Sequence, residues 1–351
     1  MDSEFGPWEE EKRESGLRPL LVLIVGLLIT AGAVLAVLYP PIEATHSGIP
    51  VSRKVSQHVY PATVEQAIEQ PAGERWLLPT GVVHIGQDRF VLDSGNHRIL
   101  KMDYDDRVLG VLDDSSEWGV ALQQPMAMAT DGATLYVANT LASEVVVLNT
   151  SGQLLKTIPL QGQPGDVNPR PIGIGVSPDG TIVVSDADNH RVIFLDQNGN
   201  VVAQAGKGLR ADGVDGFNVP AGLTIDAAGY VYVVDTLNGR VVKLSPRGAF
   251  LAQFGGLADT AGSLARPKGV AVDASGRVFV SDGLQAAIEV FGPGGAYLGV
   301  IGRVDPGDAG AGSVFEAPAG LLLEGNTLTV MDGLAGLVVL ELSEPQEPGR
   351  N

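Results

Sequence analysis

A polar turn between two apolar runs recurs along this chain on a fixed beat. In Ser185-Asp186-Ala187-Asp188-Asn189-His190-Arg191 the flanking runs are Thr181 to Ser185 and Val192 to Leu195, the pattern of a β-hairpin. The frame returns as Asp93-Ser94-Gly95-Asn96-His97-Arg98, Asn139-Thr140-Leu141-Ala142-Ser143-Glu144, Asp235-Thr236-Leu237-Asn238-Gly239-Arg240, Asp282-Gly283-Leu284-Gln285-Ala286-Ala287 and Asp332-Gly333-Leu334-Ala335-Gly336-Leu337. A proline opens each unit in register with the turns, at Pro79, Pro125, Pro171, Pro220, Pro267 and Pro318. Two independent markers with a shared period of about 47 residues define internal repeats that bury their apolar faces against one another.

Each unit holds four short strands. In the third these are Ile172 to Val176, Thr181 to Ser185, Arg191 to Leu195 and Val201 to Ala205, joined by Pro178-Asp179-Gly180, the Asp186 turn and Asn198-Gly199. Asp-Gly and Asn-Gly tolerate positive φ and mark tight turns, and 46 glycines with 22 prolines suit a chain rich in them. A four-stranded antiparallel sheet repeated at this period is a β-propeller blade, so the expected fold is all-β, a six-bladed β-propeller spanning 51–343. The sixth unit ends after Leu337 to Glu341 in Ser343-Glu344-Pro345, one strand short. Val51, Val55 and Val59 are apolar with polar residues between them, and 51–60 is expected to supply the missing outer strand and close the ring. Thr63 to Gln70 reads as a short helix ended by Pro71, and 344–351 as a disordered tail.

Ahead of the propeller, Leu20 to Tyr39 carries no charge and is long enough to cross a bilayer core of about 30 Å. Pro40-Pro41 stops a helix there. The expected order is a cytoplasmic tail over 1–18, a transmembrane helix over 19–40 and a linker over 41–50. Lys12, Arg13 and Arg18 precede the span, while Arg53 and Lys54 lie well beyond it. The positive-inside rule then places the N-terminus in the cytoplasm and the propeller outside, with the helix as a signal anchor in the cell membrane.

The chain has no cysteine, which excludes disulfides, thiolate metal sites, a cysteine nucleophile and a haem attachment motif. Its formal charge of −18, with no Lys/Arg cluster, argues against nucleic acid. The connections between units carry Asp113, Asp114, Glu117, Asp166, Asp212, Asp215, Asp259, Asp305, Asp308 and Glu316. In a propeller they share a face with the Asp-anchored turns, and such an acidic face suits a basic protein partner. Asp212 and Asp215 are the candidate pair for a weakly held Ca²⁺, although the full loop pattern of a dedicated calcium site is absent. Of the five histidines, His46 and His58 precede the first unit, His97 and His190 belong to the turns, and His84 stands alone in the first strand of unit one.

The turns resemble those of NHL repeats, in which a strand ends in an Asp-rich turn leading to Asn-His-Arg. Asp93, Asn96 and Arg98 match, as do Asp186, Asn189 and Arg191; Asp235, Asn238 and Arg240 match with the histidine lost. The units anchored by Asn139, Asp282 and Asp332 lack both histidine and arginine. The motif residues are expected to be structural: Asp accepting from the turn backbone, Asn in the left-handed conformation, and Arg pairing with a carboxylate on a neighbouring turn. The resemblance implies a scaffold, a sensor or one of several enzymes, among them zinc and streptogramin lyases and lactonases with a metal held by Glu, Asn and Asp. With no nucleophile motif and one spare histidine, the reading is a membrane-tethered, extracytoplasmic protein-binding scaffold or sensor without a cofactor. A metal-dependent lyase or lactonase, and an accessory subunit of an extracytoplasmic redox or secretion complex, are the alternatives.

Overall fold

The computed structural model describes residues 60–68, 75–113, 121–162, 166–258, 260–302 and 313–343. The expected tail, transmembrane helix, linker and C-terminal tail lie outside these residues, as does 51–59. No helix among the described residues is long and apolar enough to cross a membrane.

Six four-stranded antiparallel sheets follow one another along the chain. Their inner strands are Pro79–Ile85, Pro125–Thr130, Pro171–Val176, Pro220–Ile225, Pro267–Val272 and Pro318–Glu324, and blades one to six are named in that order. In blade three the remaining strands are Ile182–Asp186, Arg191–Leu195 and Val201–Ala205. The second and third strands there are buried throughout, because neighbouring blades cover both faces, and they read as nearly unbroken apolar runs. Val201–Ala205 is outermost and buries only its last residue.

The core is divided into six wedges, one at each blade interface. Phe90, Leu92 and Ile99 of blade one meet Leu135, Val137 and Val146 of blade two, and Val183 and Phe194 of blade three meet Val231, Val233 and Val242 of blade four. Each inner strand shifts register just after its proline, which has no N–H for the ladder. The register break accompanies a close approach between blades. A β-carbon at Gly173 would overlap the Ala221 carbonyl oxygen, and one at Gly320 would overlap that of Thr80, where blade six meets blade one.

The ring is closed by Ala62–Ile68, which pairs antiparallel with the third strand of blade six, Gly336–Leu342, from Ala62↔Leu342 to Ile68↔Leu337. This corrects two expectations. The closing position read for 51–60 is taken by 62–68, and the segment read as a helix from Thr63 is a strand. The exposed backbone edge of Gly336–Leu342 demands hydrogen-bond partners, and that demand overrides local helix preference. Only Ile68 of the closing strand is buried. Tyr60 anchors its start: its N–H donates to Val300 O at 2.9 Å, its hydroxyl accepts from Arg277 Nη1 at 2.6 Å, and its ring stands edge-on to Phe279. Polar contacts span the same seam. Gln66 Nε2 donates to Asp106 Oδ2 at 2.9 Å, and His84 Nδ1 lies 2.6 Å from Glu324 Oε2.

Candidate functional site

The repeated turn ties each blade to its own entry. Asp93, Asp186 and Asp235 are fully buried, and one carboxylate oxygen of each accepts the backbone N–H of Leu77, Arg170 or Asn218, just ahead of the inner strand. The other oxygen accepts from Asn and Arg of the same turn: Asn96 and Arg98 at 2.7 and 2.8 Å, Asn189 and Arg191 at 2.9 and 3.0 Å, Asn238 and Arg240 at 2.7 and 2.9 Å. Arginine thus pairs first within its own turn rather than with a neighbouring one. The left-handed residue is the one after asparagine, with φ of 54° at His97, 49° at His190 and 60° at Gly239. Asparagine is committed to holding the aspartate, and histidine is among the residues that tolerate this conformation.

Blade two inverts the pair. Asn139 Oδ1 accepts from Gln123 N–H at 2.6 Å, while its Nδ2 donates to Glu144 Oε1 at 2.8 Å, so amide and carboxylate stand where carboxylate and guanidinium stand elsewhere. In blades five and six Asp282 and Asp332 have neither Asn nor Arg. Each instead accepts four backbone N–H bonds, two from the blade entry and two from its own turn: Ala265, Arg266, Leu284 and Gln285, or Glu316, Ala317, Leu334 and Ala335. Hydroxyls next to the anchors link successive blades: Thr140 to Pro171 O at 2.6 Å, Ser185 to Ala221 O at 2.7 Å and Thr236 to Pro267 O at 3.2 Å.

Among the described histidines, His190 and His84 are tied into this framework. His190 Nδ1 accepts the Val219 N–H at 3.1 Å, joining the turn of blade three to the entry of blade four. His84 lies in the closing seam, with Arg89 Nε donating to its Nε2 at 3.2 Å. Among the described residues, no three of His, Asp and Glu come together as a metal-holding group.

Of the loop carboxylates, Asp114, Glu117, Asp259, Asp305 and Asp308 lie outside the described residues. Asp113 is half-buried at the end of blade one's outer strand, and Asp212 and Glu316 are exposed. Asp166 bonds Arg191 Nη1 at 2.8 Å, and the exposed Asp215 bonds Lys207 at 2.6 Å, which holds its carboxyl below the usual range. Asp188, at the apex of blade three's turn, pairs with Arg170 at 2.6 Å. Among the described residues, Asp166, Asp188 and Asp215 are thus each matched by a cation beside them.

Among the described residues the turns and connections also expose aliphatic side chains. Two residues past the anchor, four of six turns carry leucine: Leu141, Leu237, Leu284 and Leu334, exposed to 62, 49, 69 and 60%. Blade connections add Val167, Leu209, Val214, Leu257 and Val314. A shallow groove runs along Leu257, Ala258, Ser263, Leu264 and Ala265 before blade five. The aligned repeats place these leucines in register, a signal present in the sequence beside that of the carboxylates.

Residues 169–193 match the model of the NHL repeat. Among solved structures, virginiamycin B lyase from Staphylococcus aureus is similar over 76% of this chain and 95% of its own, with 12% identity and a TM-score of 0.55. A protein of unknown function from Bacteroides thetaiotaomicron covers 82% of this chain and 74% of its own, at 15% identity and a TM-score of 0.60. A provisionally assigned gluconolactonase covers 78 and 93%, at 17% identity and a TM-score of 0.57. At such identities the likeness is one of fold. The chain is a β-propeller of six four-stranded blades, with an NHL repeat matched over residues 169–193.

Proposed function

We propose that this chain is a protein-binding scaffold or sensor, tethered to the cell membrane through Leu20 to Tyr39 with its propeller outside, and that it binds its partner on the face built from the Asp-anchored turns. The observation that carries the reading is the leucine at the same turn position in four of six blades, exposed to between 49 and 69%. These side chains are about half or more exposed, and exposed aliphatic groups gathered on one face mark interaction sites. Covering one leucine contributes about 1.5–3 kcal/mol, so a few suffice to anchor a partner. The formal charge of −18 disfavours acidic partners and nucleic acid, which leaves a protein surface with apolar anchors and a neutral or basic rim.

The test replaces Leu141, Leu237, Leu284 and Leu334 together by serine in the full chain and compares the proteins retained from host membranes by quantitative mass spectrometry. Retained proteins that are lost from the variant at an unchanged Tm are the expected outcome; the same proteins on both would remove the face from the reading. In the same preparation the chain should sediment with membranes, and recovery in the soluble fraction would remove the tether. Stoichiometric metal in the purified chain would instead favour the lyase or lactonase alternative.

A further inference from the structure

The chain holds two Asn-Gly pairs, and the fold treats them differently. A glycine after asparagine leaves the main-chain nitrogen open to attack on the asparagine side chain, because no β-carbon stands in the way. Asn238-Gly239 belongs to the anchored turn of blade four. Its amide nitrogen donates to the buried Asp235 Oδ2 at 2.7 Å and to Ala211 O at 2.9 Å. Gly239 is itself buried, and a β-carbon there would stand 2.5 Å from both Leu257 Cδ2 and Leu264 O.

Asn198-Gly199 lies at the opposite end of the strands, in the turn between Arg191–Leu195 and Val201–Ala205 of blade three. Asn198 is exposed. Its backbone N–H donates to Asp196 Oδ1 at 2.8 Å, while its side-chain amide makes no hydrogen bond to a described residue. Asn200 is exposed in the same turn, but its Nδ2 donates to Asp196 Oδ2 at 2.8 Å and the β-branched Val201 follows it. A free amide, solvent around it and glycine next in the chain therefore coincide at Asn198.

We propose that Asn198 is a modification site at which the side chain converts spontaneously to aspartate and isoaspartate. Gly199 N gives up its proton and adds its electron pair to Asn198 Cγ. The Cγ–Nδ2 bond breaks, and the nitrogen takes up a proton and leaves as ammonia, which closes a succinimide ring. Water then opens the ring at either carbonyl, with no oxidant or reductant consumed. The Gly199 N–H donates to Asp196 O at 2.9 Å, so the turn must open before each event, and the fold slows the reaction without preventing it. Isoaspartate carries the main chain through the side-chain carbon and lengthens the turn by a methylene where it meets blade two: a β-carbon at Gly199 would stand 2.6 Å from Ile158 Cγ2. The site is separate from the leucine face and does not depend on it.

The test incubates the purified full chain in neutral and in mildly alkaline buffer and follows each asparagine by peptide mapping that separates aspartate from isoaspartate. Asn198 should convert at least about tenfold faster than Asn238, which must first give up two hydrogen bonds, one of them to a carboxylate. Asn198 should also outpace Asn200, and its rate should rise with pH because the attacking nitrogen has to lose a proton. In urea the two Asn-Gly pairs should convert at similar rates. Asn198→Gln, at an exposed side chain without partners, should leave the fold intact and remove the fast conversion from its peptide. Equal rates at Asn198 and Asn238 in the folded chain, or aspartate formed without isoaspartate, would overturn the proposal. So would fast conversion of that peptide in Asn198→Gln, and a ratio between the two pairs that persists unchanged in urea would show that the fold does not select the site.

Discussion

At the scale of single residues, the motif works by concentrating donors on one buried carboxylate. Asp186 is fully buried and meets the Arg170 N–H, Asn189 and Arg191, and Arg191 is itself only 2% exposed. Removing one partner of such a pair leaves a buried charge uncompensated, which costs more than the intact pair contributes. Asp186→Ala should therefore destabilise the fold by about 3–5 kcal/mol in denaturant titration. A loss below about 1 kcal/mol would mean that Asp166, also bonded to Arg191, suffices to hold the guanidinium. The inverted Asn139–Glu144 pair makes the same point by natural substitution: what the turn needs is a donor facing an acceptor.

At the scale of the blade, the tight turns at the opposite ends of the strands use the same device with fewer groups. Asp131 accepts from the Ala133 and Thr134 N–H groups and from the Tyr136 hydroxyl; burial works to raise its pKa, but these bonds outweigh it and hold the carboxyl low. Asp179 is held low first by the Ser177 hydroxyl. In Asp273 burial is again outweighed by Ser275 and Arg277. Groups lowered in the folded state contribute stability that is present above the ordinary value of 3.8 and lost as pH falls through the folded values. Asp235, raised by burial first, runs the other way: its contribution declines as pH rises from 3.8 through its folded value. With the lowered group more numerous, Tm should hold steady above about pH 5 and fall on acidification below about pH 4, and Asp273→Asn should shallow that fall. A Tm that rises between pH 4 and pH 3 would contradict this account.

At the scale of the whole molecule, the ring depends on one strand from the far end of the chain. Ala62–Ile68 pairs with Gly336–Leu342, and Gln66 reaches Asp106 of blade one. Ile68 and Trp76 share a wedge with Val82 and Leu100 of blade one and Met331 and Leu337 of blade six. Removing Ala62–Ile68 would leave the third strand of blade six as an unpaired edge and strip part of that wedge. Tm should fall by at least about 5 °C, and an unchanged value would show that the ring is closed by other contacts.

The period of the repeat was legible because each blade is a local unit. Asp-Gly and Asn-Gly turns, a proline at each inner strand and apolar runs between them follow from short-range backbone chemistry, and the strands read for blade three match the structure to within a residue at each end. The aspartate anchors were legible for the same reason, since their donors lie within the turn or the adjoining blade entry. Local chemistry could not tell which N-terminal segment closes the ring. The pattern of 62–68 carries one buried residue, and its strand conformation is imposed by a backbone edge belonging to Gly336–Leu342. Nor could it tell which loop residues are available to a partner: Asp166 reads as a surface carboxylate until Arg191 is seen beside it, and Leu284 reads as an ordinary apolar residue until the turn holds it 69% exposed. Residue types and their spacing determined the blade, whereas exposure, pairing and closure were decided by the ring, because each depends on groups brought together from distant parts of the chain.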